Sequence, residues 1–164
     1  VAIEATIVGN GPAKADWEAL AAARGLGDRV RFTGRADWDE IPELIAGFDL
    51  GFSGQQPSRS DPRVYFSPIK LYEYMAMARP VIASATEDAR ALLAADNVGY
   101  LYEVGDIDGL RNALQRAWEE RASLRERGQL ARQMIVREHT WDQRVKLLES
   151  RMTPLLAEQY ARFR

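Results

Sequence analysis

The feature that most constrains this chain is the way its apolar pattern keeps changing period. Short β-branched or aliphatic runs at 2–8, 30–33, 50–52, 80–83 and 99–102 predict five strands. Between them the apolar positions recur at helical spacing. Trp17, Leu20 and Ala21 share a face of a helix expected over 16–24, and Ile41, Leu44, Ile45 and Phe48 do so over 38–48. Further helices are expected over 67–78 and 88–94. Strands that alternate with helices across connections of a few residues pair in parallel, because each return to the sheet is a helical crossover. The predicted fold class is therefore α/β, a Rossmann-like doubly wound parallel sheet covered on both faces. A helical tail follows over 106–127 and 129–138, and Thr140-Trp141-Asp142-Gln143 has the form of a capping box opening a last helix to 164. Trp141, Val145, Leu148, Met152, Leu155 and Phe163 lie near one face of that helix, which is ordinary core patterning.

Length and charge narrow the function classes. The 164 residues suit one domain, with a core over 1–138 and the final helix after it. Acids outnumber bases 24 to 22, so the whole-domain basic field that would hold nucleic acid or an anionic membrane is absent. No run approaches the ~18–20 apolar residues of a membrane span. The absence of cysteine excludes disulfides and thiolate metal sites, and His139, the single histidine, excludes imidazole clusters and reads as structural. The chain opens on Val1 with no leader, and is expected to be an excised piece of something longer.

Ligands of open α/β sheets bind at the carboxyl ends of the strands, beside helix N-termini. Three loops of this sequence belong there. Gly9-Asn10-Gly11 is half of a dinucleotide fingerprint, but Lys14 stands where the third glycine belongs and Asp28 precedes the second strand instead of ending it. Nicotinamide dinucleotides are rejected on that ground. A tight turn with positive φ explains Gly9 and Gly11, and close backbone approach to a sugar or phosphate stays open. In Gly34-Arg35-Ala36-Asp37-Trp38, Asp37 as N-cap with Glu40 three later accounts for the acids, while Arg35 and Trp38 are available to border a flat base.

The third loop leads into Ser67-Pro68-Ile69-Lys70-Leu71-Tyr72-Glu73-Tyr74-Met75-Ala76, with Ser67 the expected N-cap and Pro68 in the first turn. Free amides at Ile69 and Lys70, with the helix dipole, make an anion site, and Lys70 adds a point charge. Glu73 lies three residues further on and shares a face with Lys70. A surface Lys–Glu pair is the plain alternative. The sharper one is an ionised carboxylate that accepts two hydrogen bonds from a vicinal diol. The segment 54–66, with Arg59, Arg63 and Tyr65, has the length and composition of a ligand-facing loop.

The order Val8-Gly9-Asn10-Gly11-Pro12, Val30-Arg31-Phe32-Thr33-Gly34, Ser67-Pro68-x-Lys70-x-x-Glu73-Tyr74-Met75-Ala76 and Arg79-Pro80-Val81-Ile82-Ala83 resembles the GT4 (group 1) glycosyltransferases. Gly99-Tyr100-Leu101, Gly105-Asp106 and Thr140-Trp141 extend the likeness over nearly the whole chain. It corresponds to the C-terminal, donor-binding half of a GT-B enzyme. The resemblance implies retaining transfer of a sugar from a UDP- or GDP-type donor without a required metal or other cofactor. It places the ribose contact on Glu73, the diphosphate contacts on Ser67, Pro68, Ile69 and Lys70, the base at Gly34 to Trp38, and catalytic roles on Lys70 and Glu73. The signature's first glutamate falls on Tyr65, a departure that weakens the sugar contact there, and Ala78 replaces the usual glycine at the helix end.

The implied partners are the nucleotide-sugar donor and an N-terminal acceptor domain of the same protein, with no nucleic acid. A cytoplasmic setting follows, and peripheral attachment of the full-length enzyme to a membrane remains compatible with it. The last helix, if part of its apolar face lacks a partner, would support self-association. Two alternatives share Glu73 and the helix start: a non-catalytic nucleotide-sugar binding module and a nucleotide-sugar epimerase of the same architecture. The isolated domain is expected to transfer no sugar.

Overall fold

The computed structural model describes residues 2–55, 68–93 and 97–162. The chain forms two compact units, 1–47 and 48–164. The first contains β1 (Ala5–Val8), α1 (Lys14–Ala23), β2 (Val30–Gly34) and α2 (Ile41–Ala46). β1 and β2 pair in parallel, with Ala5 opposite Val30 and Ile7 opposite Phe32. Successive strand residues face opposite sides, so Ile7, Val30 and Phe32 share the side on which Trp17, Leu20, Ala21 and Leu26 form an open apolar trough. Among the described residues of this unit only Ala21 and Ile45 are buried apolar side chains, while Trp17 and Leu20 are about half exposed.

α2 begins at Ile41, not at Trp38 as its apolar period suggests. Pro42 is the reason. A helix started at Trp38 would need a bond from residue 42 to the Trp38 carbonyl, and proline has no N–H to give. Near the start of α2 that missing donor costs nothing. Asp37 is consequently not the N-cap. Its own N–H donates instead to the Glu40 carboxylate at 2.7 Å.

The second unit contains β3 (Gly51–Ser53), α3 (Ile69–Ala76), β4 (Val81–Ser84), α4 (Glu87–Leu93), β5 (Gly99–Tyr102), α5 (Ile107–Glu119), α6 (Leu124–Glu138) and α7 (Trp141–Arg162). Its three strands are parallel in the order β3-β4-β5. Val81 and Ala83 of β4 pack with Leu71 and Met75 of α3, Leu92 and Leu93 of α4, and Ala131, Met134 and Ile135 of α6. Ile82, Tyr100 and Tyr102 face the other way, onto Ala113 and Ala117 of α5. Helices thus cover both faces. The α/β, Rossmann-like class with a helical tail stands, its described strands falling into one parallel sheet in each unit.

The break between α5 and α6 falls earlier than expected. α5 stops at Glu119, a 3₁₀ turn spans Arg121–Ser123, and Gly128 sits in the middle of α6. The end of α5 is finished by side chains: Ser123 Oγ donates to the Glu120 carbonyl at 2.8 Å and Arg121 to that of Trp118 at 3.0 Å. Buried Arg127 then binds the Glu120 carboxylate, the Ser123 hydroxyl and both oxygens of Asn97. Glu120 also accepts from Tyr100 Oη at 3.0 Å. Burial, and then this hydrogen bond, push the Tyr100 phenol up to about 12.

α7 begins as its capping box predicts, with the Gln143 N–H donating to Thr140 Oγ1 at 3.3 Å. Its apolar stripe is not core in this chain, however. Trp141 is 85% exposed and Leu155 65%, and Val145, Leu148 and Met152 are exposed as well. Among the described residues no helix is long and apolar enough to cross a membrane.

α3 ends in a Schellman turn. The Arg79 N–H donates to the Tyr74 carbonyl at 2.9 Å and the Ala78 N–H to that of Met75 at 3.0 Å. Ala78 takes the left-handed conformation there, with φ of 55°, where the resemblance expects glycine. That backbone costs an alanine ~1–2 kcal/mol. Gly128 lies against this turn so closely that a Cβ on it would sit 2.0 Å from the Ala78 carbonyl oxygen. Two opposite outcomes are expected in urea or thermal unfolding. Ala78→Gly should stabilise the protein by about 0.5–1 kcal/mol, strain relief outweighing chain entropy. Gly128→Ala should destabilise it by about 2 kcal/mol or more, because a backbone carbonyl cannot step aside cheaply.

Candidate functional site

The helix α3 connects parallel strands β3 and β4, so it runs against them and its N-terminus lies at the carboxyl edge of the sheet. That edge is where the sequence places its most informative loop. Pro68, with ψ of 65°, is the N-cap, so the helix starts one position later than the expected cap at Ser67 would place it, and the Pro68 carbonyl accepts from the Leu71 N–H at 2.8 Å. Helix geometry leaves the first-turn amides of Ile69 and Lys70 without an intrahelical acceptor. Ser67, the expected N-cap, and Tyr65, at the sugar-facing position, lie outside the described residues, as does most of the 54–66 loop.

Leu71 and Met75 are fully buried and fix which side of α3 faces outward. Lys70 is exposed and Glu73 half-buried, three residues apart along the helix. Among the described residues neither has an ion-pair partner, and they do not bridge to each other. The plain alternative, a surface Lys–Glu pair, is therefore not what the fold makes of them. Both groups remain available to a ligand. Tyr74 holds the helix close to β3: a Cβ at Gly51 would lie 2.3 Å from its Cγ. Burial, and then the nearby Glu73 carboxylate, raise the Tyr74 phenol above its usual range.

One group at this edge was not singled out from sequence. Ser84, the last residue of β4, is buried, and its hydroxyl donates to the Gln55 carbonyl and, at 3.4 Å, to that of Ser53. It ties the carboxyl end of β4 to the chain leaving β3. A serine ending a buried apolar run was the available signal. Beside it Phe52 stacks on Tyr102, ring centroids 6.4 Å apart and 11° from parallel.

In the first unit the two loops at the carboxyl end of β1 and β2 are brought together by glycine. Gly9 has φ of 138° and Gly34 of 76°, and the Gly9 N–H donates to the Gly34 carbonyl at 2.7 Å. Positive φ explains Gly9 as expected, whereas Gly11 does not adopt it. Arg35 is exposed, Ala36 half-buried and Trp38 82% exposed. Among the described residues no cluster of three or more acidic, histidine or cysteine side chains could hold a metal ion.

Residues 2–120 match the family model described as glycosyl transferases group 1. The chain belongs to that family. Among curated relatives it is 33% identical over 121 residues to an α-D-kanosaminyltransferase of Streptomyces kanamyceticus, an alignment covering 74% of this chain and 29% of that one. Sucrose-phosphate synthase of Thermosynechococcus elongatus superposes with a TM-score of 0.70 at 26% identity, covering 95% of this chain and 38% of the other. The Anabaena protein HepE, solved in complex with UDP, superposes with a TM-score of 0.73 at 21% identity, covering 95% and 41%. This group 1 chain thus spans well under half the length of each of the three.

Ser84 provides a test of how the carboxyl edge is held. Ser84→Ala should cost about 1–2 kcal/mol and speed amide exchange at residues 53–55, because the Gln55 carbonyl loses the hydroxyl that holds it. Unchanged stability and exchange would show that the loop start is held otherwise.

Proposed function

We propose that this group 1 chain is the donor-binding, C-terminal half of a retaining glycosyltransferase and that it holds a UDP- or GDP-type sugar. The observation that carries the reading is the pair Lys70 and Glu73. Both are unpaired among the described residues, on the first turns of a helix whose N-terminus lies at the ligand edge of a parallel sheet. The UDP complex of the structurally similar Anabaena protein supports the choice of ligand class.

In this reading Glu73 accepts hydrogen bonds from the two ribose hydroxyls, a task for which an ionised carboxylate has the acceptors. The first-turn amides of Ile69 and Lys70, together with Ser67 and Pro68, receive the diphosphate at the positive end of the helix dipole. Lys70 adds a full charge where negative charge grows on the departing diphosphate, and so lowers the barrier electrostatically. Taken by itself, the first unit offers Gly9 and Gly11 for backbone approach to a ligand and Arg35, Ala36 and Trp38 to border a flat base. Tyr65 is the residue proposed to face the sugar. Acceptor binding belongs to an N-terminal domain of the same protein, and this half alone transfers no sugar.

Titration with UDP and GDP by calorimetry tests the donor site. Glu73→Ala should weaken the better nucleotide about 10–100-fold, the loss of a charge-assisted hydrogen-bond pair. Equal binding by both proteins would remove Glu73 from the ribose. Release of the donor sugar as a free epimer would favour the epimerase alternative.

The exposed apolar face of α7 supports a second proposal, self-association through that helix. Sedimentation velocity should show a concentration-dependent dimer that Leu148→Glu abolishes. A monomer at every concentration would contradict it.

A further inference from the structure

His139 is the only histidine of the chain and closes α6, its N–H bonded to the Ile135 carbonyl at 2.9 Å. Its ring leans on that of Tyr72 in α3, with centroids 5.5 Å apart and planes 58° from parallel. From the first turns of α7, an Arg144 guanidinium nitrogen reaches 3.1 Å from Nδ1 of the same ring. Arginine can only donate, so Nδ1 is the acceptor and the neutral imidazole carries its proton on Nε2. Three helices therefore meet at one side chain.

α6 also grips the far end of α3. Arg132 donates to the Ala76 carbonyl and Gly128 lies against Ala78. The Tyr72–His139 contact lies one turn nearer the start of the helix, at a residue between Lys70 and Glu73. Tyr72 directly precedes Glu73, so the backbone that carries the ring also carries the carboxylate.

We infer that His139 is a positioning residue: braced by Arg144 and acting through Tyr72, it fixes the turn of α3 that presents Glu73 to a nucleoside diphosphate. This rests on the reading of α3 as the donor helix.

The device has a built-in dependence on acid. Arg144 from α7, Glu138 from α6 and the Tyr72 ring from α3 face the imidazole. Burial first, then Arg144, hold the His139 pKa below its usual 6.5, with Glu138 opposing them. The folded chain therefore favours the neutral ring. The folded ring takes up its proton only below 6.5, and once it does Nδ1 stops accepting and imidazolium faces guanidinium. The brace is present at neutral pH and above and is lost on acidification.

The experiment is UDP titration of wild type, His139→Ala, His139→Gln and Arg144→Gln at pH 8 and pH 5.5, with thermal unfolding alongside. At pH 8, His139→Ala and Arg144→Gln should each weaken UDP about 3–10-fold. Melting temperatures should stay within about 4 °C of wild type. His139→Gln, whose amide oxygen can accept from Arg144, should recover most of the affinity. UDP's own terminal phosphate titrates near 6 in every arm, so only differences count. Wild type should lose more affinity on acidification from pH 8 than His139→Gln does, the excess opening below pH 6.5. Wild type that fails to bind UDP overturns the donor reading itself. Wild type that binds, with His139→Ala and Arg144→Gln binding equally well or with identical acid losses, overturns only the role of His139. Should His139→Ala not fold, Arg144→Gln and His139→Gln decide the question alone.

Discussion

The backbone of α6 rests against the carbonyl that ends α3 because residue 128 has no side chain to hold it off. Much of the second unit depends on that approach. Ala78 accepts a left-handed conformation so that the chain can turn from α3 into β4 across the four residues 77–80. β4 itself is buried along its whole length, so it has little freedom to shift in response. With its far end pinned between a buried strand and a neighbouring helix, α3 has one axis available to it. The parallel pairing of β3 with β4 then decides which end of that axis meets the ligand edge.

In the proposed donor site, this geometry is what would let a chain of net charge −2 offer an anion site. The attraction is local, built from free amides, the helix dipole and Lys70, and owes nothing to the overall balance. It also explains how a carboxylate can stand nearby without repelling the phosphates outright. At 1.5 Å of rise per residue, Glu73 lies about 4.5 Å further along the axis than Lys70. A nucleoside diphosphate carries its charge and its diol at different heights, and the two side chains are spaced in the same sense.

The alternation of periods was enough to read the parallel α/β class, the order of elements and the capped start of α7 from the residues. Boundaries failed where a single residue outweighed periodicity. Pro42 delayed α2, because the missing N–H is silent in an apolar pattern. Gly128 looked like a helix end and proved to be a contact point inside α6, since a glycine's partner 50 residues away leaves no local trace. Lys70 and Glu73 were legible because helix spacing alone places them together. Ser84, the Arg127 cluster and the Tyr72–His139 contact were not, because each joins elements distant in sequence through one or two polar atoms or rings. The stripe of α7 was read as core patterning and proved exposed, because a shared apolar face does not say what covers it.

The central claim is that the start of α3 receives the diphosphate of a nucleotide donor. Backbone amide shifts of the ¹⁵N-labelled chain, recorded with UDP and with uridine at equal concentration, test it most directly. The account predicts large movements of the Ile69 and Lys70 amides with UDP that uridine does not reproduce. UDP that binds while leaving both amides unmoved, or moving no more than with uridine, would contradict it.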